Sequence, residues 1–168
     1  SFFAKPALKG TTTHWHQDGE YWPIRPLATC TVWLAVDAST AENGCLRVIK
    51  GSHKDGTLKA HRTNDGPGLA LTRELLESEY DINKAEDIEL EAGQMSLHDI
   101  FLLHGSEPNH SPNSRRGMTM RFMPTTSLFD REIAAEQAEK FGFVSHNNRQ
   151  VLLMRGTDQH GQNEFYSQ

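Results

Sequence analysis

The chain has 168 residues, with 17 basic and 22 acidic side chains and a formal net charge of -5. This length fits one domain, 1–168, around a single core. The acidic balance argues against a nucleic-acid partner, because such surfaces need clustered lysine and arginine. No apolar run approaches the roughly 20 residues that a membrane-spanning helix needs, so the sequence predicts no membrane segment.

Short strands separated by turns dominate the predicted secondary structure. Strands are expected at 28–37, 45–49, 87–91, 95–103, 117–124 and 151–154. Helices are expected at 72–80, capped by Thr72, and at 130–141. The segment 53–70 is predicted to be a long loop of the kind that forms lids or substrate-binding segments. Together these features predict an all-β dominated fold, a β-sandwich or jelly roll with a few flanking helices.

The cysteines and the N-terminus bear on the cellular location. Cys30 and Cys45 are the two cysteines, and buried thiols in strands are favoured over a disulfide between them. No signal-peptide pattern opens the chain, and a cytoplasmic protein is predicted. The chain starts at Ser1 rather than at a methionine, so we expect an N-terminal segment to be missing. The sequence sets no oligomeric state.

A histidine-rich motif at 14–18 is the sharpest chemical signal. On a strand, His16 and Asp18 would point to the same face and could offer two ligands to a divalent metal. His104, which ends an apolar run just before Gly105, is the best third ligand. Two histidines and one carboxylate leave open positions and are typical of non-haem Fe(II) oxygenases. A lone His-x-Asp pair is weak, and the second cluster is what strengthens it.

That second cluster extends from His104 to Arg115 and Arg116. Taken alone, Arg115 would be interpreted as a solvated loop charge. Beside a metal site, its planar guanidinium suits the capture of a carboxylate. The combination of the two motifs therefore favours a metal enzyme that binds an anionic organic molecule.

Several spaced motifs between Lys5 and Pro124 resemble the phytanoyl-CoA dioxygenase family. The similar segments are Lys5-Pro6, His16-Gln-Asp18-Gly-Glu-Tyr21-Trp22-Pro23-Ile-Arg25-Pro26, Asn43-Gly44-Cys45-Leu46, Gly51-Ser52-His53-Lys54, and His104-Gly-Ser106 followed by Asn109 and Arg115. The resemblance implies a double-stranded β-helix (jelly roll) and a 2-oxoglutarate-dependent oxygenase.

The resemblance also implies roles for individual residues. His16, Asp18 and His104 would bind Fe(II). Arg115 and Ser106 would contact 2-oxoglutarate, and Trp33, which aligns only with a one-residue gap, would line its pocket. O2 and a small organic substrate would complete the reaction, with release of succinate and CO2. Because related halogenases have a small residue in place of the carboxylate, Asp18 favours hydroxylation.

Other residues near the motifs have less defined roles. His14 is expected to contact a ligand residue or the substrate rather than the metal, and His98 is expected to be structural or to line the pocket rim. Arg25 is left open between binding an anionic substrate and bracing the fold. The aromatic residues Trp15, Tyr21 and Trp22 are equally consistent with core packing and with a substrate wall.

Two other functions remain open. A cupin would use His14, His16, Glu20 and His104 as metal ligands, without 2-oxoglutarate. The Pro-x-Gly expected before a cupin's distal histidine is absent, and Arg115 would have no task. The second alternative is a non-catalytic jelly-roll binding module, against which the intact triad argues.

Overall fold

Two four-stranded antiparallel sheets form the body of the protein. The computed structural model describes residues 1–64, 66, 69, 71–142 and 145–166. The strands are β1 (Phe2–Lys5), β2 (Thr13–His16), β3 (Ile24–Arg25), β4 (Cys30–Ala35), β5 (Leu46–Ile49), β6 (His61–Thr63), β7 (Arg73–Leu75), β8 (Ala85–Ile88), β9 (Met95–Asp99), β10 (His104–Ser106), β11 (Arg115–Phe122) and β12 (Leu128–Phe129). This is the predicted β-dominated, double-stranded β-helix fold.

The first sheet has the strand order β1-β11-β4-β9, and the second has the order β2-β10-β5-β8. Two-stranded ribbons pair β3 with β12 and β6 with β7. The apolar core includes Leu46, Val48 and Leu102 in one cluster and Ile49, Leu75 and Leu103 in another. Alternate residues of a strand point to opposite faces, so each sheet presents one row of side chains to the space that contains the site.

Helices are few. The α-helix α1 (Arg131–Phe141) confirms the expected helix at 130–141. Asp130 caps its N-terminus by accepting hydrogen bonds from the backbone N–H of Glu132 and Ile133, and Gly142 ends it with a φ of 66°. Short 3-10 helices span Asp18–Glu20, Glu77–Glu79 and Ile82–Lys84. No helix in the described ranges is long and apolar enough to cross a membrane.

Three local predictions were wrong. The expected helix at 72–80 is instead strand β7 followed by a 3-10 helix, because 73–75 pair with β6 and Leu75 enters the core; tertiary pairing overrides local propensity here. The same pairing places a strand inside the expected loop 53–70, of which Asp65, Pro67, Gly68 and Ala70 lie outside the described residues. The expected strand at 151–154 is only a bridge between Val151 and Phe165.

The extended segment expected at 95–103 is a strand only as far as Asp99, and 100–103 form a turn between the two sheets. β9 ends at Asp99, whose carboxylate accepts a hydrogen bond from the backbone N–H of Phe101 at 2.8 Å. The chain then turns, with Ile100 fully buried, and continues as β10 in the second sheet. This turn delivers His104 to the space between the sheets. Of the two cysteines, both free thiols, Cys45 is buried as predicted, whereas Cys30 is exposed.

Candidate metal centre and cosubstrate pocket

His16 and His104 face each other across the β2–β10 pairing. Their ring centroids are 4.2 Å apart. The Nδ1 atom of His16 lies 2.7 Å from the carbonyl oxygen of His14, and the Nδ1 atom of His104 lies 2.8 Å from that of Leu102. With Nδ1–H donating to these carbonyls, both Nε2 atoms remain available as metal ligands.

Asp18 does not lie on the strand that carries His16. β2 ends at His16, and Asp18 starts a 3-10 helix, so the expected strand spacing is wrong although the carboxylate still reaches the two histidines. The side chain of Gln17 holds the bend that brings the Asp18 carboxylate to the two histidines. Its fully buried side chain donates to the carbonyl of Phe101 at 2.7 Å and accepts from the N–H of Lys59 at 2.7 Å. It thus ties the bend to the turn that precedes His104.

The ligand atoms of His16, Asp18 and His104 all lie within 4.8 Å of one another, and all three residues are buried. Burial lowers the pKa of His16 to about 4 and holds that of His104 well below its usual value. Both imidazoles are therefore neutral near pH 7, as metal binding requires. Within the described ranges, this is the one group of three or more such residues close enough to hold a metal.

The carboxylate of Asp18 is held by three donors that come from the first sheet. Its Oδ2 atom accepts from the Thr31 hydroxyl at 3.0 Å, lies 3.3 Å from His98 Nε2, and accepts from Nη2 of Arg121. Burial would raise the pKa of Asp18, but the hydrogen bond from His98 and the charge of Arg121 outweigh it and keep the pKa well below its usual range. His98, expected to be structural or at the rim, is thus a direct partner of a candidate ligand.

The cupin ligand set does not come together. Glu20 accepts from Nε of Arg73 at 2.8 Å, and Nδ1 of His14 lies 3.1 Å from a carboxylate oxygen of Glu74. His14 and Glu74 border a cavity of about 270 Å³ that Ser106 also lines. His14 therefore stands apart from the three clustered residues, whose carboxylate is that of Asp18.

Arg115 and Lys5 form a buried pair of like charges. They are direct cross-strand neighbours in the β1–β11 pairing and are 4% and 5% exposed. The Arg115 guanidinium donates to the carbonyl of Gly44 at 2.7 and 3.1 Å, and the Lys5 ammonium donates to the carbonyls of Thr11 and Glu107. None of the ion pairs within the described ranges reaches either cation.

The charges of this pair are costly to bury. Burial, together with the charge of Arg115, lowers the pKa of Lys5 to about 7, and burial lowers that of Arg115 to about 10. Trp33 packs against the Arg115 guanidinium at 5.3 Å, and a side chain on Gly117 would collide with the Trp33 ring. Ser106 is buried nearby on β10, and Lys5 Nζ lies 3.4 Å from its carbonyl oxygen. An anion beside these two cations would offset the cost of burying their charges.

Sequence reasoning missed several residues of the site. Arg121 follows Arg115 by six residues on β11, an even spacing that places both on one face, so this signal was available. Lys5 was noticed only as part of a motif. The contact of Thr31 with Asp18 had no sequence signal. Arg25, left open earlier, donates to the carbonyls of Trp22 and Ile24 and braces the local backbone.

Comparisons with known proteins identify the family of the chain. The phytanoyl-CoA dioxygenase (PhyH) family model matches residues 1–117. A phytanoyl-CoA dioxygenase domain-containing protein 1 homolog from Dictyostelium discoideum is 36% identical over 110 residues, which cover 64% of this chain and 39% of that protein.

Solved structures show the same fold. The apo form of the non-heme monooxygenase ThoJ superposes with a TM-score of 0.65 at 28% identity, covering 76% of this chain and 45% of ThoJ. EvdO2 from Micromonospora carbonacea var. aurantiaca, complexed with 2-oxoglutarate, gives a TM-score of 0.62 at 27% identity, covering 73% of this chain and 51% of EvdO2. The chain thus spans about half the length, or less, of these similar proteins. Because the family model matches well over half of it, the chain belongs to the phytanoyl-CoA dioxygenase family.

Proposed function

We propose that this chain supplies the Fe(II) and 2-oxoglutarate site of a dioxygenase that hydroxylates a small organic substrate and releases succinate and CO2. The observation that carries the proposal is that the fold buries two groups of residues of matching chemistry. One is the buried group of His16, Asp18 and His104. The other is the buried pair of cations, Lys5 and Arg115, with no ion-pair partner in the described ranges.

The donor set fits iron. Two neutral imidazole nitrogens and one ionised carboxylate are the ligands of non-haem Fe(II) oxygenases, and the hydrogen bonds at each Nδ1 orient the imidazoles for binding through Nε2. When bound, Fe(II) supplies the activation of O2 that the side chains alone cannot supply. Since Asp18 is present as a carboxylate, the site favours hydroxylation over halogenation.

The anion pocket fits 2-oxoglutarate. A carboxylate placed against Arg115 would receive charge-assisted hydrogen bonds and would offset the repulsion between Arg115 and Lys5. Trp33 packs against the guanidinium, and the buried Ser106, whose carbonyl oxygen lies 3.4 Å from Lys5 Nζ, is a candidate further contact. The cosubstrate would thus be oriented by Arg115 at one end and by the metal at the other.

Measuring 2-oxoglutarate turnover in the absence of an organic substrate tests the proposal. Protein incubated with Fe(II), 2-oxoglutarate and O2 is expected to consume O2 and form succinate slowly, and candidate substrates can then be screened for faster succinate formation. Absence of any uncoupled turnover, with metal bound, would favour a non-catalytic binding module.

Two adjacent arginines provide a matched test of the cosubstrate site. Arg115→Gln removes the buried cation and is expected to weaken 2-oxoglutarate binding about tenfold or more, the loss typical of a charge-assisted hydrogen bond. Arg116→Gln removes a cation that is exposed and paired with Asp37, and it is expected to bind as wild type. Equal losses in the two variants would contradict the assignment of Arg115. The cytoplasmic location and the lack of a nucleic-acid partner stay predictions from the sequence.

A further inference from the structure

The indole ring of Trp22 packs against two guanidinium groups and a histidine ring. The guanidinium carbon of Arg121 lies 4.0 Å from the ring centroid and that of Arg149 lies 4.9 Å away. The His146 ring stacks on Trp22 with centroids 5.0 Å apart and an interplanar angle of 9°. Trp22 follows the 3-10 helix that begins with Asp18, so this group of four residues, the Trp22 cluster, lies beside the candidate metal ligands.

The Trp22 cluster has too little negative charge for its cations. Arg121 donates to Asp18 and, through Nε, to the Thr31 hydroxyl at 3.0 Å. Arg149 has no ion pair with any residue in the described ranges, and its Nη2 atom is 3.5 Å from Nδ1 of His146. The carboxylate that pairs with Arg121 is that of Asp18, which is also the candidate metal ligand and would share its charge with the metal.

Burial and neighbouring charges lower the pKa values of two residues in the Trp22 cluster. The pKa of His146 is lowered by burial and by the charges of Arg149 and Arg121, and the pKa of Arg149 is lowered by burial and by the charge of Arg121. Four other arginines are neutralised by ion pairs. Those that pair with Asp or Glu away from Trp22 are Arg47, Arg62, Arg73 and Arg116. Arg149 is thus a cation without an ion pair in the described residues, as Arg115 is, and it lies on the same indole ring as Arg121, which contacts the candidate metal ligand Asp18.

We propose that Arg149, with Arg121 and the Trp22 ring, binds an oxyanion of the organic substrate, either a carboxylate or a phosphonate. Both groups match the planar donor fork of a guanidinium. The aromatic ring holds the guanidinium groups in place through cation–π contacts. This inference rests on the proposed function and names its substrate class: an anionic molecule that is anchored by the Trp22 cluster while it meets the metal centre.

The test measures anion binding by calorimetry on the full chain, loaded anaerobically with Fe(II), with and without saturating 2-oxoglutarate. The probes are butyrate, propylphosphonate and the neutral butyramide. We expect at least one of the two anions to bind, butyramide not to bind, and the tighter anion to identify the group. Arg149→Gln is expected to weaken anion binding about tenfold or more, and Arg149→Lys to restore part of it. Arg116→Gln, which removes an equal charge elsewhere, is the control.

Three results would overturn the proposal. These are equal anion affinity in wild type and Arg149→Gln, equally tight binding of butyramide, and displacement of the anion by 2-oxoglutarate, which would place the probe at Arg115. The outcome is separable from that of the proposed function. Anion binding that depends on Arg149 in a protein that forms no succinate would refute the oxygenase and leave the anion site standing, and succinate formation without such binding would do the reverse.

Discussion

Thr31 offers a sharp test of how the fold holds the candidate metal ligand Asp18. Its side chain is 1% exposed, its hydroxyl donates to Asp18 Oδ2 at 3.0 Å, and the same oxygen accepts from Nε of Arg121. Thr31→Val replaces the hydroxyl by a methyl group of similar size. The variant therefore removes two hydrogen bonds while leaving the packing nearly unchanged.

The expected loss in metal affinity follows from these contacts. A hydrogen bond to a charged group contributes about 1.5–3 kcal/mol, and partners that orient a metal ligand typically change metal affinity about 10- to 100-fold. His98 and Arg121 would still hold Oδ2 of Asp18, so we expect the lower end, about tenfold. Anaerobic calorimetric titration with Fe(II) measures this change directly.

Thr29→Val is the matched control. Thr29 is also buried, on the segment before β4, but its hydroxyl has no hydrogen-bond partner in the described structure. This variant is expected to bind Fe(II) as tightly as wild type. Unchanged affinity in Thr31→Val, or an equal loss in Thr29→Val, would refute the idea that the hydroxyl orients Asp18.

Three further predictions concern both halves of the site. Asp18→Ala is expected to lower coupled 2-oxoglutarate turnover at least about a hundredfold, since the lost group is a candidate ligand itself rather than a residue that orients one. Near-normal succinate formation would exclude the triad. Because the pKa of Lys5 is about 7, 2-oxoglutarate affinity should fall about tenfold from pH 6 to pH 8 as the ammonium loses its proton. An equally steep fall of affinity with pH in Lys5→Met would contradict this. In Gly117→Ala the new Cβ would lie 2.2 Å from Trp33 Cζ2. We expect thermal unfolding to show a loss of stability of about 1–3 kcal/mol, and 2-oxoglutarate binding to weaken. Unchanged values would show that Trp33 has room to move.

The pH profile has a second consequence, for stability. In the unfolded chain Lys5 keeps its proton up to its ordinary pKa of 10.5, whereas the folded chain releases it near pH 7. The unfolded state therefore binds more protons between these values, and this group alone makes the folded protein more stable as pH rises from about 7 to 10.5. Saturating 2-oxoglutarate should weaken that trend, because an anion beside Lys5 favours its charged form.

The sequence predicted best those elements whose local signals agree with their tertiary setting. The β-branched run at 28–37 contains β4, the run at 45–49 contains β5, and the helix expected at 130–141 is α1. In the two strands most of the apolar side chains of the predicted run are ones that the fold buries. The three candidate metal ligands could also be chosen from the sequence, because few residues of suitable chemistry lie in the two spaced motifs.

Features that depend on long-range contacts were not predictable from the sequence. The partners of Asp18 lie 13, 80 and 103 residues away along the chain, and no local pattern connects them. The bend that begins at Gln17 depends on buried hydrogen bonds to Phe101 and Lys59. For this reason Asp18 was expected on a strand but lies on a 3-10 helix.

Anomalous diffraction from crystals grown anaerobically with Fe(II) and 2-oxoglutarate tests the central claim most directly. We expect one iron peak bonded to Nε2 of His16, a carboxylate oxygen of Asp18 and Nε2 of His104, with the distal carboxylate of 2-oxoglutarate on Arg115. Iron bonded through Glu20 instead of Asp18, with no 2-oxoglutarate at Arg115, would contradict it and favour a cupin.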